Sequence, residues 1–366
     1  MTTTRLDPQT IPDLQPNTEL FALARGPARH PFTAATRDDA EAWQQVCREA
    51  LASAVGFIEA PVAGWEGRPA APAAELVEEV DRGDFTRRKL LLATGPHSSM
   101  PVYLLRPTEA SGALPVVLAY HGHGYGVKDI VGVWEDGGER YTPDGYHQDF
   151  AIALCRRGFL VAAPEIAGFG ERQNDYGHLD PLLGQPVPAT CHNAATIAFM
   201  LGVSLVGLRV RDSMRLLDWL GASGEADPDR VGAMGISGGG MLTFFHTCLD
   251  ARICASVISG YYTNWRDSIL AMEHCTCNFV PGLLNIGELT DLAGLILPRP
   301  LLVEAGTRDP IFPVGPVREA VARTREMSAV FGGDPVRDVV LDEFEARHMV
   351  SGRLAYDFLW QRVAEK

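Results

Sequence analysis

Arg230-Val-Gly-Ala-Met-Gly-Ile-Ser237-Gly-Gly-Gly-Met-Leu-Thr-Phe-Phe-His-Thr247 decides the fold. A short apolar run, Val231 to Ile236, reaches Ser237 and passes through Gly238, Gly239 and Gly240 into an apolar pattern of helical period. That is a strand, a one-residue turn and a helix. Gly235 and Gly239 flank Ser237 at minus two and plus two, giving G-x-S-x-G. A serine at so sharp an apex sits in strained backbone, and a side chain at either flank would collide with the neighbouring strand or helix. Its hydroxyl is held out from the sheet at a helix N-terminus, where the dipole and unpaired N–H groups favour developing negative charge. The five-residue pattern alone is weak, because a Gly-rich turn can be only a turn. An acid and a base must follow in order.

Composition narrows the setting. The 366 residues are 46% hydrophobic, with mean hydropathy near zero, which describes a globular chain with ample core. A net charge of -14 argues against nucleic acid or an anionic membrane surface as partner. The N-terminus has no apolar stretch of signal-peptide type, and the seven cysteines are an odd number scattered through a large chain. Both point to reduced thiols and a cytoplasmic location. The longest uncharged run, Asn193 to Leu208, is broken by Gly202 and Gly207 and reads as a buried helix rather than a membrane span.

In chain order, residues 1–74 form an N-terminal helical extension and a Pro/Ala-rich linker, with a helix over Asp38–Val55 that turns Trp43, Val46, Cys47 and Leu51 to one side. Residues 75–366 form the main domain, with insertions at about 168–192 and 261–293. It opens with antiparallel strands at Glu75–Asp81, Phe85–Ala93 and Met100–Leu105, whose apolar residues alternate inward. From Leu114 the pattern is α/β, alternating buried strand and helix, which implies a mostly parallel central sheet with helices on both faces. Strands fall at Leu114–Tyr120, Phe159–Ala163, Arg230–Ile236, Ile253–Ser259, Leu301–Ala305 and Val339–Phe344. Helices fall at Asp144–Arg157, Ala194–Gly221 with room for a kink at its glycines, Val317–Val330 and Leu354–Ala364.

In a parallel sheet, reacting side chains come from loops at the carboxyl ends of strands, all on one edge. After Leu301–Ala305 comes Gly-Thr-Arg-Asp309-Pro, and after Val339–Phe344 comes Glu-Ala-Arg-His348. The order Ser237, Asp309, His348 is nucleophile, acid, base. Glu304 and Asp267 are alternative acids; Glu304 falls within its strand, which points to structural use. The strand Leu114–Tyr120 leads into His121-Gly-His-Gly-Tyr-Gly126, a Gly-rich turn suited to an oxyanion hole, assigned to the N–H groups of Gly238 and His123 with Gly124 as runner-up. Glu165, Arg172, Tyr261, Tyr262, Trp265, His274 and Phe279, on the two insertions, are candidate pocket walls. Trp265 and Phe279 could equally be core residues, and Arg172 could pair with Glu165 or Glu171. Cys275 and Cys277 beside His274 are the one close cysteine pair, but no second ligand pair at zinc spacing appears elsewhere. His121 and His123 read as structural, so no metal and no cofactor is expected.

His121-Gly-His-Gly, Pro164-Glu-Ile-Ala-Gly-Phe-Gly-Glu-Arg172, Gly235-Ile-Ser-Gly-Gly239, His274-Cys-Thr-Cys-Asn-Phe-Val-Pro-Gly282 and Arg299-Pro-Leu-Leu-Val-Glu-Ala-Gly-Thr-Arg-Asp-Pro310 together resemble the α/β-hydrolase superfamily. The branch they look most like is dienelactone-hydrolase-like and acetyl xylan esterase-like, over roughly residues 40 to 366. The resemblance implies an α/β-hydrolase fold and hydrolysis of a carboxylic ester through a serine acyl-enzyme without a cofactor, and the family's substrates range too widely for the fold to choose among them. A small pocket is expected separately, which favours a small-molecule ester with a short acyl or acetyl group. Dienelactone hydrolases proper use a cysteine where this chain has Ser237. A peptidase, amidase or C–C bond hydrolase on the same fold is the alternative, because the triad residues do not discriminate among them. The long insertions make a homodimer plausible.

Overall fold

The computed structural model describes residues 6–179, 182 and 191–365. Nine strands form one sheet: β1 (Ala74–Asp81), β2 (Phe85–Gly95), β3 (Ser98–Pro107), β4 (Leu114–Tyr120), β5 (Leu160–Pro164), β6 (Ala226–Ile236), β7 (Ala255–Ser259), β8 (Leu301–Gly306) and β9 (Val339–Phe344). Their spatial order is β1-β2-β3-β5-β4-β6-β7-β8-β9. The first three enter antiparallel and join the sheet where β3 pairs with β5. From β5 across β4 to β9 every pairing is parallel. The carboxyl ends of β4, β6, β8 and β9 therefore open on one edge.

The longer helices are α1 (Pro16–Ala24), α2 (Arg37–Val55), α3 (Phe150–Arg156), α4 (Cys191–Met200), α5 (Leu205–Ser223), α6 (Gly238–Leu249) and α7 (Val314–Val330). Side chains of β4 alternate between two cores: Val116, Leu118 and Tyr120 join residues of α2, α5, α6 and α7 on one face. Val117 and Ala119 join α3 and the C-terminal segment around Phe358, Leu359 and Val363 on the other. This is the two-residue period of a strand covered on both sides. The N-terminal helix α2 starts at a Thr36 cap, whose hydroxyl accepts from Asp39 N–H at 3.2 Å. It shares the sheet's own core through Cys47, Leu51 and Val55.

Four local expectations need correction. Val46 is exposed, while Cys47 and Leu51 are buried. Leu76 and Val77 on β1 are also exposed, because β1 is the outermost strand and is not packed like the inner ones. The Asp144–Arg157 helix begins only at Phe150, since Gln148 and Asp149 hold left-handed backbone at φ 56° and 46°. The long helix expected over Ala194–Gly221 is two helices, α4 and α5, meeting at 103°. Gly202 turns left-handed there, and Ser204 starts α5 by accepting from Gly207 N–H at 3.0 Å. The uncharged run is therefore not one buried helix, and Ile197, Met200 and Leu201 are exposed. Among the described residues no single helix is long and apolar enough to cross a membrane.

Candidate active site

Ser237 stands between β6 and α6 at φ 56°, ψ −120°, in a backbone region that non-glycine residues occupy only when the surroundings compel it. Its N–H donates to Ser259 O on β7, and its carbonyl accepts from Met241 N–H, both at 2.9 Å. The flanking glycines are needed for space. A Cβ on Gly235 would stand 2.3 Å from Gly239 O, and one on Gly239 would stand 1.9 Å from Tyr120 O on β4. Backbone lies at both contacts, so neither can be relieved by a rotamer change. Gly239→Ala is therefore expected to cost more than about 4 kcal/mol, the range reserved for strain at special positions. The measurement is thermal unfolding, with Tm lower by roughly 5 °C or more; an unchanged Tm would show the turn to be looser than described.

His348 and Asp309 meet across the ends of β9 and β8. Asp309 Oδ2 lies 2.7 Å from His348 Nδ1, while Oδ1 accepts N–H bonds from Ile311 at 2.8 Å and Phe312 at 3.1 Å. Burial opposes ionisation of Asp309, but the His348 contact and these two N–H groups outweigh it and hold the carboxyl below its usual range. The imidazole lies between two rings, Phe312 stacked at 5.7 Å and Tyr146 tilted at 5.3 Å. His348 Nε2 is buried and has no hydrogen-bond partner among the described residues. Ser237 and His348 line the same cavity of about 360 Å³, together with His123, Tyr146, His274 and Ile311.

The two alternative acids lie elsewhere. Asp267 is exposed, in the single turn Trp265–Asp267. Glu304 is buried and accepts N–H bonds from Gly352 at 2.7 Å and Ser351 at 3.3 Å, bracing the segment after His348. Burial pushes its carboxyl up to about 7 against those hydrogen bonds.

In the turn after β4, Gly122 N–H donates to His147 Nε2 at 2.9 Å and Tyr125 N–H to Asp129 Oδ2 at 3.0 Å. Between them lie the N–H groups of His123 and Gly124. A Cβ built on Gly238 would stand 3.2 Å from His123 Nδ1, so this turn touches the first residue of α6. The first-turn N–H groups of a helix have no intrahelical acceptor. Tyr146 closes the arrangement: its hydroxyl donates to His123 O at 2.6 Å and interacts with Ser237. Sequence reasoning missed Tyr146 because it placed the residue in a helix. The residues that follow Tyr146, His147 and the left-handed Gln148 and Asp149, carry no reliable sequence pattern.

Most of the expected pocket walls do not line the cavity of Ser237. Tyr261 and Tyr262 are core residues, the first accepting from Trp265 Nε1 at 3.2 Å and the second bonded to Thr324 Oγ1 at 2.6 Å. Trp265 is buried and stacks on Phe245; with Phe279 it borders a separate cavity of about 210 Å³. Glu165 is buried, 3.2 Å from His121 Nε2 and accepting from Val127 N–H at 3.0 Å. Arg172 bonds Asp212 Oδ2 at 2.6 Å, not the carboxylate of Glu165 or Glu171. These side chains were misplaced because aromatic and charged residues on a long insertion satisfy burial as readily as a ligand would. Only His274 faces the cavity of Ser237. Part of the insertion at about 168–192, residues 180–181 and 183–190, lies outside the described residues.

One convergence was not anticipated. His123 Nε2 lies 3.4 Å from Cys277 Sγ and 3.8 Å from Cys191 Sγ, and Cys191 Sγ lies 3.2 Å from Cys275 Sγ. His121, by contrast, is fully buried and tied to main chain through Gly122 O and Ile166 N.

The parallel run from β5 to β9, with a strained serine at the β6–α6 turn and an aspartate–histidine pair on the same sheet edge, defines an α/β-hydrolase fold. Residues 25–313 match the family model described as the Abhydrolase family. The chain belongs to that family. It is 26% identical over 271 residues to the Bacillus subtilis (strain 168) protein named "Putative hydrolase YtaP", covering 72% of this chain and 82% of that one. Among solved structures, a "putative acetyl xylan esterase" from Bacteroides fragilis aligns with TM-score 0.70 and 17% identity over 91% of this chain and 82% of that one. A glucuronoyl esterase from Solibacter usitatus aligns with TM-score 0.63 and 17% identity over 92% and 97%. At these identities the structures establish a shared fold.

Proposed function

We propose that the protein is a serine hydrolase of carboxylic esters with a short acyl group. One observation carries the reading: Asp309 engages one nitrogen of His348, the other nitrogen is buried and unpaired, and His348 shares a cavity with the strained Ser237. His348 Nε2 takes the proton as Ser237 Oγ attacks the ester carbonyl, and Asp309 orients the ring and stabilises the imidazolium. The oxyanion of the tetrahedral intermediate is held by the N–H groups of Gly238 and His123. His348 then protonates the leaving alcohol. Water, deprotonated by the same imidazole, releases the acid from the acyl-enzyme and returns Ser237. No cofactor enters these steps.

The names of the structural neighbours, acetyl xylan esterase and glucuronoyl esterase, support an ester over an amide. The test compares p-nitrophenyl esters of increasing acyl length with the matching anilides. The acetyl ester should turn over fastest and the anilides orders of magnitude more slowly. A fluorophosphonate probe should label Ser237, located by peptide mass. Preference for long acyl chains would remove the short-acyl part, and labelling elsewhere would remove the nucleophile.

A further inference from the structure

Four sulfur or nitrogen donors converge beside the cavity from three distant parts of the chain. They are His123 on the turn after β4, Cys191 at the start of α4, and Cys275 and Cys277 on the insertion after β7. One donor atom from each lies within 4.8 Å of all the others. We infer that these four residues form a tetrahedral zinc site, Cys191, Cys275 and Cys277 binding through Sγ and His123 through Nε2.

Distance supports this first. With metal–ligand lengths of about 2.3 Å to sulfur and 2.0–2.1 Å to nitrogen, a tetrahedral site has edges of about 3.8 Å between sulfurs and about 3.6 Å between sulfur and nitrogen. The nitrogen–sulfur separations of 3.4 and 3.8 Å bracket that edge. The Cys191–Cys275 separation of 3.2 Å is short of the sulfur–sulfur edge but well beyond a disulfide bond of about 2.05 Å. A disulfide between those two would also leave unexplained why Cys277 and an imidazole nitrogen close the same tetrahedron.

Surroundings support it second. Asn278 Nδ2 donates to Cys277 Sγ at 3.6 Å, the outer hydrogen bond that ligating thiolates usually receive. Three thiolates around a dication leave one net negative charge in a buried place. Arg209 is buried nearby, against the same Gly168 that Cys191 approaches; its guanidinium lies over the Phe169 ring at 5.1 Å and hydrogen-bonds only to Ala167 O among the described residues. Its Nη1 is buried and has no hydrogen-bond partner among the described residues. An unmatched buried guanidinium is costly, and an anionic metal centre is the counter-charge that would justify it.

Thiolate-rich, four-coordinate and lacking an open position, the centre fits a structural zinc rather than a catalytic one. Its role would be to anchor His123, whose N–H belongs to the proposed oxyanion hole, to the two insertions that carry Cys191 and the Cys275–Cys277 pair. That last role rests on the proposed ester hydrolysis; the site itself does not.

Full-length protein, expressed with zinc supplied and purified without chelator, should carry about one zinc per chain by elemental analysis. Cys191→Ser and Cys277→Ser should each reduce this to below about one tenth, while Cys47→Ser, Cys155→Ser and Ser237→Ala should retain it. Zinc-stripped, reduced wild-type protein titrated with Co²⁺ should show the intense ligand-field and thiolate charge-transfer bands of a tetrahedral site. Stripping should also lower kcat for ester turnover with little change in KM. Absence of both zinc and the cobalt spectrum in the wild type would overturn the assignment, as would a Cys191–Cys275 disulfide found by mass spectrometry. If the cysteine variants do not fold, the wild-type metal content and cobalt spectrum decide the question alone. Zinc without ester turnover would leave the site standing and refute the proposed activity.

Discussion

Ser237→Ala is expected to reduce kcat for ester hydrolysis by about four to six orders of magnitude, the scale on which loss of a triad nucleophile acts. The alanine methyl occupies the same apex and keeps the N–H bond to Ser259 O, so the turn survives. What disappears is the only atom able to form the acyl bond, and the residual rate is what the oxyanion donors and substrate binding supply on their own. The check is kcat/KM with p-nitrophenyl acetate alongside the unfolding temperature of the same preparation. Undiminished turnover by a folded variant would move the nucleophile away from 237.

Asp309→Asn is expected to cost about 10⁴ in kcat with the fold intact. The reason lies in the second oxygen. Oδ1 already accepts N–H bonds from Ile311 and Phe312, so an asparagine placed here must keep its carbonyl on those two donors and turn its amide nitrogen toward His348. An amide N–H facing Nδ1 forces the imidazole proton onto Nε2, where it can no longer accept the proton of Ser237. Activity falls through the wrong tautomer while the packing of Phe312 and Tyr146 against the ring is unchanged. Asp267→Asn, at an exposed turn whose carboxylate makes no bond to His348, should stay within about twofold of the parent. The pair of variants, compared by kcat/KM, separates the two acids; a larger loss at 267 than at 309 would reverse the assignment.

The parts of the site that were legible share a property. Gly235, Ser237 and Gly239 lie within five residues, and their spacing states a steric demand that the structure meets with contacts to Gly239 O and Tyr120 O. Asp309 and His348 follow strands whose apolar runs are readable, and β8 and β9 end close to where the runs end. The insertions were less legible. Tyr261, Tyr262, Trp265 and Glu165 are of residue types that serve a pocket or a core equally well, and burial chose the core. Tyr146 enters the cavity because two consecutive left-handed residues, Gln148 and Asp149, delay the start of the helix to Phe150, and backbone reversals of that kind leave no periodic trace.

The amino-acid order by itself determined the alternation of strand and helix, the sharp serine turn and the sequence of residues standing at strand ends. These depend on neighbours within a few positions, where period and steric bulk act directly. Tertiary structure alone decided which distant side chains share a space: Asp309 Oδ2 on His348 Nδ1, Arg172 on Asp212, and His123 among Cys191, Cys275 and Cys277. Such contacts are set by how loops without period close over the sheet edge, so residues separated by 68 or 154 positions meet with no local pattern to announce them.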